Sequence, residues 1–316
     1  MLSKLFSGVA RVVLAATVAV TGVVTAGASP AEAAIVHRTP GTDEFGAPVL
    51  GVGPQQDSMI RASLVPNANG LVPPGVNDWS CRSDHDPVVL IPGTIGSAYT
   101  SWSFVGPQLA AAGYCAYAFN HNAVTFAPVF SFSGDITESA EMLAVFVDHV
   151  LAETGRKKVT LLGQSQGGGL LPIYYMNFLG GAAKVSGLVG LTPTNHGTTF
   201  PLPVPPPQQL LDAEMVLLTP VNGQSLAQQA TGSPLNDQIY NHGPVTRPGI
   251  RYTMIVTNSD TLVTPYTNGF IWEPGVDNIL IQDRFPGKVV GHVDTMYDEQ
   301  VFSLLLEALN AITPTR

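Results

Sequence analysis

The chain has 316 residues, of which 45% are hydrophobic and only 12% charged, about half the charged share of ordinary soluble domains. Fourteen basic and 23 acidic residues give a net charge of -9 at pH 7, with no basic cluster larger than Arg156, Lys157 and Lys158. This composition excludes charge-driven disorder and predicts no nucleic-acid partner. With 32 Gly and 26 Pro in no collagen-like period, the chain should be globular and rich in turns.

The first 34 residues follow the plan of a secretory signal peptide. Lys4 and Arg11 provide a positive start, residues 12–28 are uncharged, and small residues surround Glu32. The alternative, a retained membrane anchor, needs about 20 apolar residues, whereas these 17 include three Thr and two Gly. We therefore predict cleavage near Ala33 or Ala34, a secreted protein, and one mature domain over residues 35–316 without a transmembrane segment.

Export makes the two cysteines interpretable. An oxidising compartment favours disulfides, and Cys81 and Cys115 allow only one intramolecular pairing. Two free thiols are the alternative. A zinc site is not expected, because there is no second Cys pair and no His-Glu-x-x-His motif.

The mature chain begins with an irregular stretch over residues 35–80, which shows no clear period and is expected to wrap the core. After it, apolar runs bounded by Gly, Pro or Asn alternate with helical patterns. This alternation predicts an α/β fold with a mostly parallel central sheet and helices on both faces. The predicted strands are 87–92, 115–119, 158–163, 185–191, 251–257 and 278–282. The predicted helices are 101–112, 135–154, 166–179 and 295–309.

One segment interrupts the alternation. Residues 198–249 open with five closely spaced prolines and show no strand–helix order. We interpret this segment as a cap-like excursion over one edge of the sheet.

A candidate nucleophile stands where a predicted strand meets a predicted helix. Gly163-Gln164-Ser165-Gln166-Gly167 has the G-x-S-x-G pattern in the strand-to-helix context that a nucleophile elbow requires. The turn is sharp, so side chains two positions on either side of Ser165 would collide with the neighbouring strand and helix. A Gly-rich turn without catalytic function is the alternative. The context favours Ser165 as a nucleophile whose developing charge lies near a helix N-terminus.

A serine hydroxyl needs a base to accept its proton. Beyond Ser165 the chain offers His196, His242 and His292. His292 follows the last predicted strand and precedes the final helix, a position from which a loop can reach the carboxyl edge of the sheet. His242 lies in the excursion and His196 precedes every plausible acid. We therefore predict His292 as the base.

The base in turn needs a carboxylate to orient it. Asp260 comes directly past the predicted strand 251–257. Its rivals are Asp283, at the predicted end of the last strand but only nine residues before His292, and Asp277, which precedes that strand at the wrong edge. The sequence favours Asp260.

An acyl-transfer intermediate also needs donors for its oxyanion. The backbone N–H after the nucleophile belongs to Gln166. The loop 91–96 after the first central strand contains two glycines, and the N–H and hydroxyl of Thr94 are further candidates. An ordinary Gly-rich turn is the alternative. The predicted chemistry requires no metal and no organic cofactor.

Several segments together resemble the secreted bacterial class-2 triacylglycerol lipases. They are PVVLIPGT at 87–94, LAAAGYC at 109–115, GDI at 134–136, GQSQGG at 163–168, GGAAKV at 180–185, NHGTT at 195–199 and TPY at 264–266. The resemblance covers residues 79–309. It implies an α/β-hydrolase fold acting on carboxylic esters, a triad of Ser165, Asp260 and His292, and a disulfide from Cys81 to Cys115.

Two positions depart from that family. Pro92-Gly93 stands where the family commonly has His-Gly, and Gln164 where it has His. Pro-Gly-Thr with Ser-Gln-Gly is instead similar to the fungal lipase B type, whose threonine assists the oxyanion through its backbone and side chain. The departures bear on acyl preference more than on the chemistry.

The low charge is concentrated in the segments that carry the candidate site. Residues 87–134 contain no charged residue, and residues 159–236 contain only Lys184, Asp212 and Glu214. We expect a weakly charged, partly apolar mouth that accepts a hydrophobic ester, at a lipid–water interface, in a monomeric enzyme. A secreted acyltransferase or a polyester or cutin-type hydrolase could use the same triad. A peptidase would need an anchor for charged peptide ends, and a binding protein would normally have lost a triad member.

Overall fold

The computed structural model describes residues 39–122, 131–199 and 224–315. The predicted signal peptide, residues 1–34, lies outside the described residues. Residues 200–223 of the predicted excursion also lie outside them. The strands are β1 (Gly51–Val52), β2 (Leu71–Val72), β3 (Val88–Ile91), β4 (Ala116–Ala118), β5 (Val159–Gln164), β6 (Val185–Leu191), β7 (Arg251–Val256) and β8 (Val276–Leu280). The helices are α1 (Met59–Ser63), α2 (Ala98–Trp102), α3 (Val105–Ala111), α4 (Ile136–Thr154), α5 (Leu170–Phe178), α6 (Gln224–Gln228), α7 (Pro234–Tyr240), α8 (Ile281–Arg284) and α9 (Glu299–Asn310).

Six of the described strands form one sheet in the order β4-β3-β5-β6-β7-β8. Every neighbouring pair is parallel. The sequence of β3 is uniformly apolar because both faces of the strand are buried. Val89 packs into the core on one face and Val88 into the core on the other. The structure confirms the predicted α/β fold, with the strands near the predicted positions.

Helices cover both faces of the sheet, as predicted. Phe146 of α4 packs in the same core as Val89, and α4 runs against α5 on that face. Trp102 of α2 and Leu305 of α9 lie in the core on the opposite face. α4 begins just after Asp135, the first residue of the predicted helix, whose side chain caps it by accepting a hydrogen bond from the backbone N–H of Thr137.

The predicted helix 101–112 is divided in two. α2 ends at Trp102 and α3 begins at Val105. Pro107 has no N–H to donate to the carbonyl four residues earlier, so it suits the first turn of a new helix and not the interior of a continuous one. The prediction of a single helix here was wrong.

The C-terminal elements also differ from their predicted bounds. β8 ends at Leu280, and the chain turns directly into α8, so Asp283 lies on a helix and not at a strand end. Asp277 lies within β8, opposite Thr253 of β7. A 3₁₀ turn at Asp294–Tyr297 precedes α9, which begins after Asp298 has capped it.

The N-terminal wrap has more order than its sequence indicates. β1 and β2 form a small parallel ladder, and α1 contacts α2. Cys81 and Cys115 form the predicted disulfide, which ties this region to the start of β4. In the described part of the predicted excursion lie α6 and α7. In the described ranges, no helix combines the length and apolar character that a membrane crossing requires.

Candidate active site

The predicted site residues all lie in loops at the carboxyl edge of the sheet. Thr94 follows β3, Ser165 follows β5 and Asp260 follows β7. His292 lies between α8 and α9, beyond β8. Because all of these strands are parallel, their following loops gather at one edge, which is where open α/β sheets bind ligands.

Ser165 adopts a backbone conformation that non-glycine residues avoid. Its φ is 57°, in the left-handed region, at the start of the 3₁₀ turn Ser165–Gly168 between β5 and α5. A Cβ on Gly163 would lie 1.7 Å from the carbonyl oxygen of Gly167. A Cβ on Gly167 would lie 2.3 Å from that of Pro92. Only glycine therefore fits at these two positions, because the backbone packs too closely for a Cβ atom. This is the steric conflict that the G-x-S-x-G pattern predicts on either side of Ser165.

Asp260 and His292 are joined by a short hydrogen bond. The Oδ2 atom of Asp260 lies 2.7 Å from Nδ1 of His292. The other carboxylate oxygen, Oδ1, accepts the backbone N–H groups of Leu262 and Val263, each at 2.8 Å. The carboxylate is thus fixed in its own loop, and its free oxygen is directed at the imidazole. This arrangement places the proton of His292 on Nδ1 and leaves Nε2 as an acceptor.

The backbone of His292 is held by hydroxyl and amide side chains. Its carbonyl oxygen accepts hydrogen bonds from Thr295 Oγ1 at 2.8 Å, and from Gln164 Nε2 and Thr192 Oγ1 at 3.3 Å each. Gln164 immediately precedes Ser165. The nucleophile turn and the histidine loop are therefore directly connected.

A second set of bonds holds the segment just before His292. Thr257 Oγ1 donates to the carbonyl of Val290 at 2.9 Å and accepts from Gln282 Nε2 at 2.9 Å. Gln282 Nε2 also donates to the carbonyl of Lys288 at 3.0 Å. Thr257 immediately follows β7 and lies three residues before Asp260, so it connects the acid loop with the histidine loop.

The loop after β3 is a tight turn beside the nucleophile. The N–H of Gly96 donates to the carbonyl of Gly93 at 3.0 Å, and Ile95 between them has a φ of 59°. Thr94 Oγ1 accepts hydrogen bonds from Gln166 Nε2 at 3.0 Å and from Gln229 Nε2 at 2.7 Å. The predicted oxyanion residues Thr94 and Gln166 are thus in direct contact.

Ser165, His292 and Thr94 line the same cavity, of about 250 Å³. Most of its other lining is apolar, and Ile95 and Leu262 at its mouth are 41% and 48% exposed. Among the described residues, no Asp, Glu, Lys or Arg lines it. A serine and an oriented imidazole thus line one apolar cavity. Nucleophilic acyl transfer requires these two groups.

The rival residues lie elsewhere. The ring of His196 packs against Tyr240 with centroids 4.3 Å apart and the ring planes tilted by 49°, and burial lowers the pKa of its imidazole. His242 is exposed after α7. Asp277 faces Arg251 of β7 at 3.8 Å, and Asp283 is exposed on α8. None of these four side chains lines the cavity described above.

Sequence reasoning missed the polar side chains that hold the site. Gln229 lies just after α6 within the predicted excursion, 135 residues from the threonine that it contacts. Thr257 and Gln282 belong to no motif. A search for polar residues at the ends of predicted strands would have found Thr257 and Gln282, which end the predicted strands 251–257 and 278–282. Nothing in the sequence indicates the contact made by Gln229. In the part of the chain that the structure describes, no group of three His, Cys, Asp or Glu side chains could hold a metal ion.

Comparisons with known proteins agree with this architecture. A family model described as the alpha/beta hydrolase fold matches residues 86–221. The chain is similar in structure to lipase B of Aspergillus fumigatus, with 19% sequence identity and a TM-score of 0.61 over 90% of this chain and 66% of that one. It is also similar to lipase BlEst2 of Bacillus licheniformis in its propeptide form, with 19% identity and a TM-score of 0.54 over 74% of this chain and 53% of that one. The chain thus spans less than two thirds of either protein, and it has the α/β-hydrolase fold.

Proposed function

We propose that the protein is a secreted serine hydrolase that cleaves hydrophobic carboxylic esters. Ser165 is the nucleophile, His292 the general base and Asp260 the residue that orients the base. The observation that carries the proposal is the 2.7 Å bond between Asp260 and His292, with His292 and Ser165 lining one apolar cavity. The strained turn at Ser165 supports it, because a left-handed serine is retained only where surrounding structure enforces it.

Acylation begins with attack of Ser165 Oγ on the ester carbonyl carbon. His292 Nε2 accepts the serine proton, and Asp260 stabilises the resulting imidazolium through Nδ1–H. Collapse of the tetrahedral intermediate breaks the bond to the alcohol oxygen, which takes the proton from Nε2. The alcohol leaves and an acyl-serine remains.

Deacylation repeats these steps with water. His292 accepts a proton from the water molecule while the water oxygen attacks the acyl carbon. The second tetrahedral intermediate expels Ser165 Oγ, which regains its proton from the imidazolium. The acid product leaves and the enzyme returns to its initial state.

Both intermediates carry a negative oxygen that needs hydrogen-bond donors. The backbone N–H groups of Gln166 and Thr94 and the hydroxyl of Thr94 serve this role. Thr94 lines the cavity, and the Gln166 side chain fixes it beside the nucleophile turn. Preorganised donors of this kind usually contribute the largest share of the stabilisation in acyl transfer.

The substrate class follows from the lining of the cavity. Apolar side chains dominate it and continue to the surface at Ile95 and Leu262, so a hydrophobic acyl or alcohol group would be desolvated on entry. The part of the lining that the structure describes holds no ionic side chain and so offers no counter-ion for a charged substrate. The two similar structures are both named lipases, which supports hydrophobic esters as the substrate.

Secretion rests on the N-terminal pattern and on the disulfide. Residues 1–34 have the plan of a signal peptide, and a disulfide between Cys81 and Cys115 is favoured in an oxidising compartment. Expression of the full-length chain in its secreting host, followed by N-terminal sequencing of the exported protein, tests this part. A start near residue 35 is expected, and an intact N-terminus would contradict it.

Ester hydrolysis is tested by replacing the nucleophile. The Ser165→Ala protein should keep its fold and lose at least about 10³-fold in kcat on p-nitrophenyl esters, because no acyl-enzyme can form. A matched control is Ser186→Ala, since Ser186 is a buried serine on β6 that bonds Val159 and lies away from the site. Turnover near that of the parent in Ser165→Ala would disprove the mechanism. Esters of short to long chains, assayed with and without an oil–water interface, then define the substrate.

A further inference from the structure

The hydroxyl of Thr94 has an unusual set of partners. Two side-chain amide nitrogens donate to its oxygen, Gln166 Nε2 at 3.0 Å and Gln229 Nε2 at 2.7 Å. A hydroxyl oxygen has two acceptor lone pairs and one proton. Both lone pairs are therefore occupied, and the hydroxyl can act further only as a donor.

Neither amide is free to turn away. Gln166 Nε2 also donates to the carbonyl of Phe132 at 2.5 Å, and Gln229 Nε2 donates to the carbonyl of Ser225 at 3.0 Å. Both glutamine residues are buried, with exposed fractions of 0% and 3%. Each amide thus uses one proton to fix itself and the other to bind Thr94.

The backbone of Gln229 is fixed as well. Its carbonyl accepts the N–H of Thr198 at 2.8 Å, and its own N–H bonds the carbonyls of Ser225 and Leu226. Thr198 in turn donates through Oγ1 to Leu262, two residues beyond Asp260. Gln229 is therefore held by the segment that follows β6 as well as by the last turn of α6.

We propose that Gln229 is a positioning residue that aims the Thr94 hydroxyl proton at the oxyanion. With both lone pairs engaged, the proton of Thr94 is left directed into the cavity that Thr94 and Gln229 line together. The two donated bonds also polarise the hydroxyl and make it a stronger donor. The inference rests on the proposed ester hydrolysis and assigns to Gln229 a role through Thr94 and not through the substrate.

A double-mutant cycle tests this role. Gln229→Met keeps the length of the side chain and removes its donors, and we expect kcat to fall roughly tenfold with KM nearly unchanged, since the oxyanion forms only in the transition state. Thr94→Val removes the hydroxyl and should lower kcat by about 10²-fold. In the Thr94→Val background, Gln229→Met should then cost less than about twofold, because the group on which it acts is gone.

Two further variants sharpen the test, and the first also serves if Gln229→Met folds poorly. Gln229→Glu preserves the shape but presents a carboxylate that accepts a hydrogen bond, so the Thr94 proton turns away from the cavity and kcat should fall further than in Gln229→Met. Thr94→Ser retains the hydroxyl and should keep the full sensitivity to Gln229→Met. Thermal unfolding of each variant confirms that the assays compare folded proteins.

Gln228→Met is the matched control. Gln228 is the adjacent residue on α6, and its amide bonds the start of α4, through Asp135 Oδ1 at 2.9 Å and the N–H of Ile136 at 2.7 Å. The Gln228→Met substitution should lower stability and leave kcat within about twofold of the parent value, because none of the bonds of Gln228 reaches Thr94.

The outcomes separate this inference from the proposed function. Equal losses from Gln229→Met with and without the Thr94 hydroxyl, or no loss in either, would overturn the positioning role while ester hydrolysis stands. If the parent protein hydrolyses no ester, or Ser165→Ala remains active, the proposed function itself fails. The same kinetic assay therefore distinguishes the two.

Discussion

Around Ser165 the chain is packed backbone against backbone, whereas around His292 it is tied by side-chain hydrogen bonds. On the serine side, a Cβ on Gly163 would lie 1.7 Å from a carbonyl oxygen, and one on Gly167 would lie 2.3 Å from another. On the histidine side, a Cβ on Gly291 would meet nothing closer than the carboxylate of Asp294, at 3.1 Å. The nucleophile turn itself is fixed by a lack of space for side chains, and the histidine loop is fixed by polar contacts.

The difference follows from what each side must hold. Ser165 must keep a strained φ of 57°, and only rigid surroundings on both sides of the turn can enforce it. His292 needs a defined tautomer and ring direction, which hydrogen bonds at Nδ1 and at its carbonyl provide. We therefore expect the serine side to be sensitive to added volume and the histidine side to altered polarity.

The largest effect on the histidine side should come from Asp260→Asn, which changes polarity without changing shape. Two backbone N–H groups at Oδ1 require an oxygen there, so the new amide must direct its NH₂ at His292. Nδ1 would then accept, and the proton would move to Nε2, facing the nucleophile. We expect kcat to fall by about 10³- to 10⁴-fold with the fold retained.

Asp283→Asn is the control for that variant, because Asp283 is an exposed carboxylate on α8. Its kcat should match that of the parent. Circular dichroism and thermal unfolding would show whether Asp260→Asn remains folded. A loss in Asp260→Asn no larger than in Asp283→Asn would contradict the role of Asp260.

On the serine side the corresponding change is Gly163→Ala, which adds one methyl group and no polarity. Its Cβ would overlap the carbonyl of Gly167, and backbone on both sides of the turn would have to move. We expect a loss of about 3 kcal/mol or more in the free energy of unfolding, measured by urea denaturation. Gly291→Ala should cost far less, because the Asp294 carboxylate can turn away. Similar losses in the two variants would remove the contrast between the two sides.

The serine side could be predicted from sequence because its constraint appears as residue type. Where backbones approach this closely only glycine fits, so Gly163 and Gly167 mark the turn around Ser165. The strands were predictable for a similar reason. β3 is buried on both faces and apolar throughout, and β6 is buried along its whole length with Ser186 as its one polar residue.

The histidine side could be predicted only in part. Chain order indicated His292 and Asp260, yet the contacts that Thr257 and Gln164 make with the histidine loop span 33 and 128 residues. Thr and Gln occur on many loops, so residue type alone does not distinguish those that hold a site. The bounds of β8 failed because Ile281 continues an apolar run while its backbone already turns into α8.

The smallest effect is expected from Thr257→Val, which tests whether the polar contacts behind His292 position it. Valine fills the same space but removes the bond to the carbonyl of Val290, leaving that buried acceptor without its donor. We expect a loss of about 1 to 2 kcal/mol in stability, and a fall of several-fold in kcat as the loop that carries His292 loosens. Thr160→Val, at the far end of β5, removes a comparable buried hydroxyl contact with Ser186 and should lower stability alone. A kcat for Thr257→Val equal to that of Thr160→Val would mean that hydrogen bonds stabilise the histidine side without positioning it, and that Asp260 alone fixes the ring.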